Sequence, residues 1–443
     1  MRGLRAINIA VAGTGYVGLV TAAVLAHKGH DVVGVDIDER KVETLNRGEC
    51  PIFEAGLAEI LVANTSRLTF TLDYRAAYQG AEVIFIAVPT PERADGSANL
   101  KHVFEAVGQI AESVRSSCVV VVKSTVPVGT SDRVENRLNG LLGARGLVAE
   151  VVSNPEFLSQ GTALNDMLHA SRVIVGAETD QARAVLSRVY ENLSSPMLFM
   201  NRRSAEMVKY ASNNFLALKI AYINEVANLC DLLGADIEEV SKGVGADPRI
   251  GGQFLRAGIG YGGSCFPKDT KALHWLSNYH DREIKTVKAA IEVNAKQKLA
   301  LLRRAHRHFD EFEGLTVAVL GLAFKPETDD LREAPSLENV EALLDAGAKV
   351  RVWDPRAVEN FRRLYPDEVA YCSSIAEALA NADMCLILTE WPEVVELDPG
   401  VYVEKMRYPL ILDGRNCYSL EAMAQHDVLY ESIGRRSVGK LKP

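Results

Sequence analysis

The sequence predicts an α/β protein in which two Rossmann-like, doubly wound domains are joined by a central helical domain with a long core helix. Valine- and isoleucine-rich runs alternate with helical segments in the first third of the chain, and the same rhythm restarts in the last third. Between them, the stretch from Ser204 to Leu233 contains neither glycine nor proline. Continuous apolar runs separated by helices indicate parallel sheets covered on both faces. The resulting segments are 1–203, 204–308 and 309–443.

In the first segment, the strand Ile7–Ala12 enters Gly13-Thr14-Gly15-Tyr16-Val17-Gly18, then the helix Leu19–Ala26 and a second strand, Asp31–Val35, that ends in Asp36. This is a dinucleotide fingerprint in its required context. Gly13 makes the tight turn, Gly15 lets a pyrophosphate approach, and Gly18 lets helix and strand pack. The helix start at Tyr16 and Val17 offers N–H groups to phosphate. Asp36 is placed to accept both adenosine ribose hydroxyls and to repel a 2′-phosphate, which selects NAD over NADP. Lys41 reaches the cofactor or faces solvent. Further strands at Glu82–Val88, Cys118–Val122, Val148–Val152 and Arg172–Val175 carry end loops at Pro89-Thr90-Pro91, Lys123–Pro127 and Asn154–Leu158. Ligands bind beyond the carboxyl ends of such strands.

In the middle segment, Ser204 reads as an N-cap with Glu206 in the first turn. Met207, Tyr210, Phe215, Leu218, Tyr222, Val226 and Leu229 mark a long helix expected to be largely buried. Lys209 and Asn213 share one face, as do Asn224 and Asn228; such a stripe faces a substrate or solvent. Helices continue to about His308, interrupted by Tyr261-Gly262-Gly263-Ser264-Cys265-Phe266-Pro267-Lys268-Asp269. Here glycines admit close approach, a nearby cation favours a thiolate, and a carboxylate holds the ammonium or relays a proton. Cys265 is therefore either a covalent nucleophile or a small buried loop residue.

The last segment restarts with Thr316–Leu320 leading into Gly321–Pro326. Lys349–Trp353 then ends in Asp354, Met384–Leu388 precedes Thr389, and Leu410–Leu412 precedes Asp413-Gly414-Arg415. The glycine fingerprint is degraded, which suggests a nucleotide site for something other than a dinucleotide. Asp354, followed by Pro355, reads as a turn-former. The basic tail from about Gly434 is expected to fray.

A chain of 443 residues is long enough for two or three cores. The net charge of −9 argues against nucleic-acid and membrane-surface partners. No apolar run approaches the roughly 18 residues of a membrane span. The start Met1–Arg5 leads directly into a strand, so no signal peptide is expected. Seven scattered cysteines have neither metal-ligand nor redox-motif spacing, so no metal and a cytoplasmic location are expected.

In order, GTGYVG, PTP, KSTVPVGT, SNPEFL, the Lys209/Asn213 helix, PRIGGQFL, GYGGSCFPKD, GLAFKPETDDLRE and DGR resemble the nucleotide-sugar dehydrogenases across nearly the whole chain. The stretches PRIGGQFL and SCFPKD look like members acting on UDP-glucose; members acting on GDP-mannose or UDP-N-acetylmannosamine differ there. The resemblance implies NAD-dependent, four-electron oxidation of UDP-glucose to UDP-glucuronate in a homodimer or higher homo-oligomer. Cys265 would form the thiohemiacetal and thioester, and Lys209 and Asn213 would polarise the reacting oxygen. Asp269 and a water held by Thr125 would assist proton transfer, and Glu156 thioester hydrolysis. The first-step base stays open among Lys209, Asp269 and water. Thr90, Thr125, Gln160, Lys268 and Arg332 would join the fingerprint residues and Lys41 as cofactor contacts. Glu156, Phe157, Leu158, Lys209, Asn213, Arg249, Phe254, Gly262, Lys325 and Arg415 would bind the UDP-sugar, with Arg249 donated across the dimer. Gln160 stands where relatives commonly carry glutamate, which removes one charge.

Two other classes have the same outline. A two-electron hydroxy-acid dehydrogenase would need neither thiol nor second nucleotide domain, and an NAD-binding regulator would not need Cys265, Lys209 and Glu156 together.

Overall fold

A computed structural model describes residues 5–440. The start Met1–Leu4, on which the expected absence of a signal peptide rests, and the last three residues of the tail lie outside the described residues. The chain separates into two compact units, Met1–Ser212 and Asn213–Pro443, and the division falls inside the helix Arg202–Leu233.

The first unit carries the strands β1 (Asn8–Ala12), β2 (Asp31–Val35), β3 (Leu68–Thr71), β4 (Val83–Ile86), β5 (Cys118–Val122), β6 (Ala149–Ser153), β7 (Val173–Gly176) and β8 (Met197–Met200). They form one sheet in the order β3-β2-β1-β4-β5-β6-β7-β8. Successive strand residues feed opposite faces. Ile9, Val11, Val83 and Phe85 pack with Leu19, Val20 and Leu25 of the helix Tyr16–His27. Ala10, Ala12, Ile84 and Ile86 pack with Val103, Val107, Ile110, Val134 and Leu138 on the other side. Each such side chain contributes about 1.5–3 kcal/mol when fully buried. Two apolar faces are why these strands read as unbroken valine and isoleucine runs. The expected parallel sheet holds from β3 to β6, but β7 runs antiparallel to β6 and β8 is parallel to β7. An apolar run is the same read in either direction, so it carries no strand polarity.

The second unit carries β9 (Thr316–Leu320), β10 (Lys349–Trp353), β11 (Ala370–Tyr371), β12 (Met384–Ile387), β13 (Leu410–Asp413) and β14 (Leu429–Ser432), all parallel, in the order β11-β10-β9-β12-β13-β14. In both sheets the order reverses beside the first strand, at β1/β4 and β9/β12, which opens a crevice at the carboxyl ends. Ile223, Ala227, Ile237, Leu255, Ile259 and Leu301 from the preceding helices share one core with Val317, Val319, Leu386 and Leu412.

Three local expectations are corrected. The long helix begins at Arg202, and Asn201 Oδ1 accepts the Ser204 N–H at 2.7 Å, so the capping side chain is Asn201. Glu206 serves another helix: its carboxylate accepts the N–H groups of Gly129 and Ser131, at 2.6 and 2.7 Å, at the start of Thr130–Leu142. The long helix is also not buried along its length. Phe215, Tyr222 and Leu229, one every seventh residue, are 63%, 57% and 53% exposed. Finally, the tail is held as far as Val438. Val438 bridges Tyr430, and buried Arg435 donates to Ser432 Oγ, Tyr418 O and Tyr430 Oη.

Candidate active site

In the first unit the fingerprint turn follows β1. Gly13 has φ 89°, and a Cβ there would lie 2.8 Å from the Ala87 carbonyl after β4. A Cβ on Gly18 would collide with the Gly13 carbonyl. A Cβ on Gly15 would meet no protein atom within 4 Å, so packing is not what calls for glycine there. This is the division of labour a pyrophosphate turn requires. At the end of β2, Asp36 Oδ2 accepts from Thr14 N (2.9 Å), Thr14 Oγ1 (2.6 Å) and Lys41 Nζ (3.0 Å), while Oδ1 accepts from Ile37 N and Asp38 N. Burial raises the Asp36 carboxyl, but these bonds outweigh it and hold it below the usual aspartate range.

The other strand ends converge on a buried charge cluster. Thr90 Oγ1 donates to the Thr125 carbonyl at 2.9 Å, tying the loops after β4 and β5. Glu156, after β6, pairs with Lys209 at 3.0 Å and also accepts the Leu158 N–H at 2.6 Å. Lys209 stands over the Phe157 ring at 5.4 Å. Burial pushes the Glu156 carboxyl up, yet Lys209, the Leu158 amide and Lys123 together hold it below the usual range. Lys123 is a second buried ammonium in the cluster. It donates to Asn154 Oδ1 at 3.0 Å, and burial lowers its pKa to about 8, with Glu156 opposing and Lys209 reinforcing the shift.

In the second unit, Cys265 is the N-cap of the helix Phe266–Tyr279, and its carbonyl accepts the Asp269 N–H at 2.9 Å. Asp269 is 1% exposed; its oxygens take Lys268 Nζ at 2.7 Å and Asn213 Nδ2 at 2.6 Å, and Asn214 Nδ2 donates to its carbonyl. Gly263 has φ 83°, donates to the Arg332 carbonyl at 2.7 Å, and has the Phe324 ring where a Cβ would be. A Cβ on Gly262 would meet the Glu333 carbonyl at 2.5 Å. The glycines therefore press the thiol loop onto the segment 324–333. Arg332 is ion-paired with Asp330, which is the main cause of its raised pKa, and the Cys265 charge adds to it. Burial raises the thiol pKa of each of the other six cysteines.

Arg415 donates to the carbonyls of Leu388, Gly260 and Phe324 and lies 3.4 Å from Glu390, so it clamps the ends of this sheet to the glycine-rich loop. Lys325 Nζ sits 5.7 Å from the Phe324 ring centroid. Phe254 has φ 64° and packs edge-on against Phe266, next to the thiol. Arg249 stands apart from these groups, 87% exposed and paired with Asp247. Asp354, the counterpart of Asp36, accepts the amides of Leu322, Ala323, Arg356 and Ala357 and the Trp391 indole N–H. It holds its turn, as its sequence context suggests.

Sequence reasoning missed Lys123 and Asn154 as site residues, although each opens a strand-end motif, and a polar residue there was a usable signal. It also missed Glu333. Glu333 receives Lys271 and Lys298, at 3.0 and 2.9 Å, beside the thiol loop. Among the described residues no group of three or more His, Cys, Asp or Glu is arranged to hold a metal, and no helix is long and apolar enough to cross a membrane.

Sequence profiles of the UDP-glucose/GDP-mannose dehydrogenase family match the chain at residues 7–194 (NAD binding domain), 203–296 (central domain) and 318–420 (UDP binding domain). UDP-glucose 6-dehydrogenase YwqF of Bacillus subtilis is 44% identical over 98% of this chain and 98% of its own. A UDP-glucose dehydrogenase structure from Pyrobaculum islandicum superposes with a TM-score of 0.91 at 39% identity, covering 97% of this chain and 98% of that one. A UDP-D-ManNAc dehydrogenase structure from Pyrococcus horikoshii follows at 0.85 and 29%, covering 96% and 99%. The chain belongs to the UDP-glucose/GDP-mannose dehydrogenase family, and NAD is its cofactor.

Proposed function

We infer that this protein oxidises the primary alcohol of UDP-glucose to the carboxylate of UDP-glucuronate through covalent chemistry at Cys265. The observation that carries the reading is the Cys265 thiol at a helix N-terminus, four residues from a buried Asp269 held by Lys268 and Asn213. Its affinity for UDP-glucose follows from relatives that share its full length. The three segments 1–203, 204–308 and 309–443 then bind NAD, carry the thiol loop and bind UDP.

NAD would supply the oxidising power, with two molecules bound in turn and each taking one hydride. The turn Gly13–Gly18 receives its pyrophosphate and Asp36 its ribose, with Lys41 able to turn from that carboxylate toward the cofactor. Thr90, Thr125, Gln160, Lys268 and Arg332 complete its contacts. Lys209 and Asn213 steady the oxygen on the reacting carbon as charge develops. The helix N-terminus at Cys265 favours negative charge on sulfur. The thiolate adds to the aldehyde carbon and forms a C–S bond, so no aldehyde leaves. Loss of the second hydride leaves a thioester. Water adds to it, the C–S bond breaks, and the carboxylate departs with the thiol regenerated. Glu156, held ionised by Lys209, accepts a proton from that water, while Asp269 and a water on Thr125 carry the remaining protons. Phe157, Leu158, Phe254, Gly262, Lys325 and Arg415 shape the UDP-sugar site.

We also place the chain in a homodimer or higher homo-oligomer. The exposed stripe Phe215, Tyr222 and Leu229 is an apolar surface of the kind that marks interfaces, and exposed Arg249 is available to a neighbour's substrate. A reducing, cytoplasmic setting fits seven thiols without a disulfide. The deciding experiment measures NADH formed per UDP-glucose consumed. A ratio of two with UDP-glucuronate as product is expected. A ratio of one, or turnover of GDP-mannose or UDP-N-acetylmannosamine in place of UDP-glucose, refutes the reading.

A further inference from the structure

Glu54 lies in the loop before the helix Leu57–Ala63, outside every motif above, and is only 6% exposed. Its carboxylate is wholly engaged by donors. Oε2 accepts from the Tyr16 hydroxyl and from Gly161 N at 3.0 Å; Oε1 accepts from Leu164 N at 3.1 Å. The Gly161 N–H is shared with Tyr16 Oη at 2.6 Å. Leu164 is the second residue of the helix Ala163–Leu168, whose own N-cap, Thr162, makes no side-chain capping bond. Glu54 supplies that cap from elsewhere in the sequence. Burial, reinforced by the nearby Asp166 charge, raises the pKa of this carboxyl, while the backbone donors oppose the shift; the three hydrogen bonds are all accepted at once by the ionised form.

The partners belong to two separate parts of the cofactor site. Tyr16 is the first residue of the helix that follows the fingerprint turn, and Gly161 directly follows Gln160. We propose that Glu54 is a positioning residue for NAD: one buried carboxylate fixes the pyrophosphate turn, through Tyr16, to the loop that presents Gln160. The inference rests on the placement of NAD at the fingerprint turn, and Glu54 itself touches neither cofactor nor substrate in this scheme. Its action runs through the separation of the two loops. A glutamine at position 54 cannot replace it. The amide oxygen satisfies one side only, and the NH₂ then faces either the Leu164 or the Gly161 N–H, donor against donor.

The test is calorimetric titration of NAD and, separately, of UDP-glucose into the full chain and its Glu54→Gln, Tyr16→Phe and doubly substituted forms. Losing a hydrogen bond to a charged group should weaken NAD by about tenfold in each single variant. The double variant should be no weaker than the worse single one, because both changes break the same link, and UDP-glucose affinity should stay within about twofold. Tyr16→Phe leaves the Leu164 cap intact, so it decides the matter even if Glu54→Gln fails to fold. NAD affinity unchanged in folded Tyr16→Phe, additive losses in the double variant, or equal losses for both ligands would each overturn the proposal. A wild-type chain that did not bind NAD would overturn the cofactor placement as well, which separates the two failures.

Discussion

Lys123→Met tests the buried charge cluster. Lys123 is buried, hydrogen-bonded to Asn154, and its pKa falls from 10.5 to about 8 on folding. The unfolded chain therefore binds the Lys123 proton more tightly than the folded chain. Below pH 8 the ammonium is present in both states and lowers stability by about 3 kcal/mol, at 1.36 kcal/mol per pKa unit. As pH rises from 8 to 10.5 the folded chain is already neutral there, and this cost disappears. Between pH 7 and pH 9.5 wild type should thus gain about 2 kcal/mol relative to Lys123→Met, which has no such proton. All three tryptophans, Trp275, Trp353 and Trp391, lie in the second unit and would not report on the first. Cys118, buried in β5, is a better probe. Its alkylation across a urea series, read by peptide mass spectrometry, gives an unfolding midpoint for the first unit. A wild-type-minus-variant difference that does not move between the two pH values would refute the argument, as would movement in the opposite sense.

Asp36→Ala should weaken NAD and narrow its advantage over NADP in competition assays, since five donors are arrayed on a carboxylate that excludes a 2′-phosphate; an unchanged preference would place the ribose elsewhere. Arg415→Ala should raise the KM for UDP-glucose by about tenfold or more and also lower the melting temperature, because three carbonyls lose their donor; a substrate effect without a thermal one would mean the clamp is not made in solution. Arg249→Ala and Cys265→Ala chains, each inactive alone, should recover part of the activity when mixed under conditions of demonstrated subunit exchange. No recovery would return Arg249 to its own subunit's site or remove it from the site.

The fold was legible where chemistry repeats along the chain. Apolar runs such as Val83–Ile86 and Met384–Ile387, buried on both faces, announce central parallel strands. Leu68–Thr71 and Ala370–Tyr371 were missed because sheet-edge strands are short and half exposed, and so lack that signature. The reversal of β7 was illegible for want of any polarity in its residues. Among the candidate site residues, Asp36, Cys265 and Asp269 stand out locally by their chemistry and motif context. The bonding of Glu54, Glu206 and Glu333 could not be read this way, since each acts on backbone or charges distant in sequence. Exposure of Phe215, Tyr222 and Leu229 was missed for a further reason: apolar spacing marks a face but does not say whether this chain covers it.

Asp354 has a consequence for how the chain keeps two nucleotides apart. Both sheets end their second strand in aspartate, but Asp36 is held partly by the side chain of a partly exposed lysine, whereas Asp354 is enclosed by four backbone amides and an indole. On the proposed reading the first carboxylate would trade its lysine for a ribose hydroxyl; the second has no such partner to trade without unpicking its own loop. Adenosine arriving at the second sheet finds no sugar-reading acid, however abundant the dinucleotide. If NAD sits at the first sheet and UDP at the second, as proposed, the bonding of this one side chain would keep a high cofactor level from crowding out the sugar nucleotide.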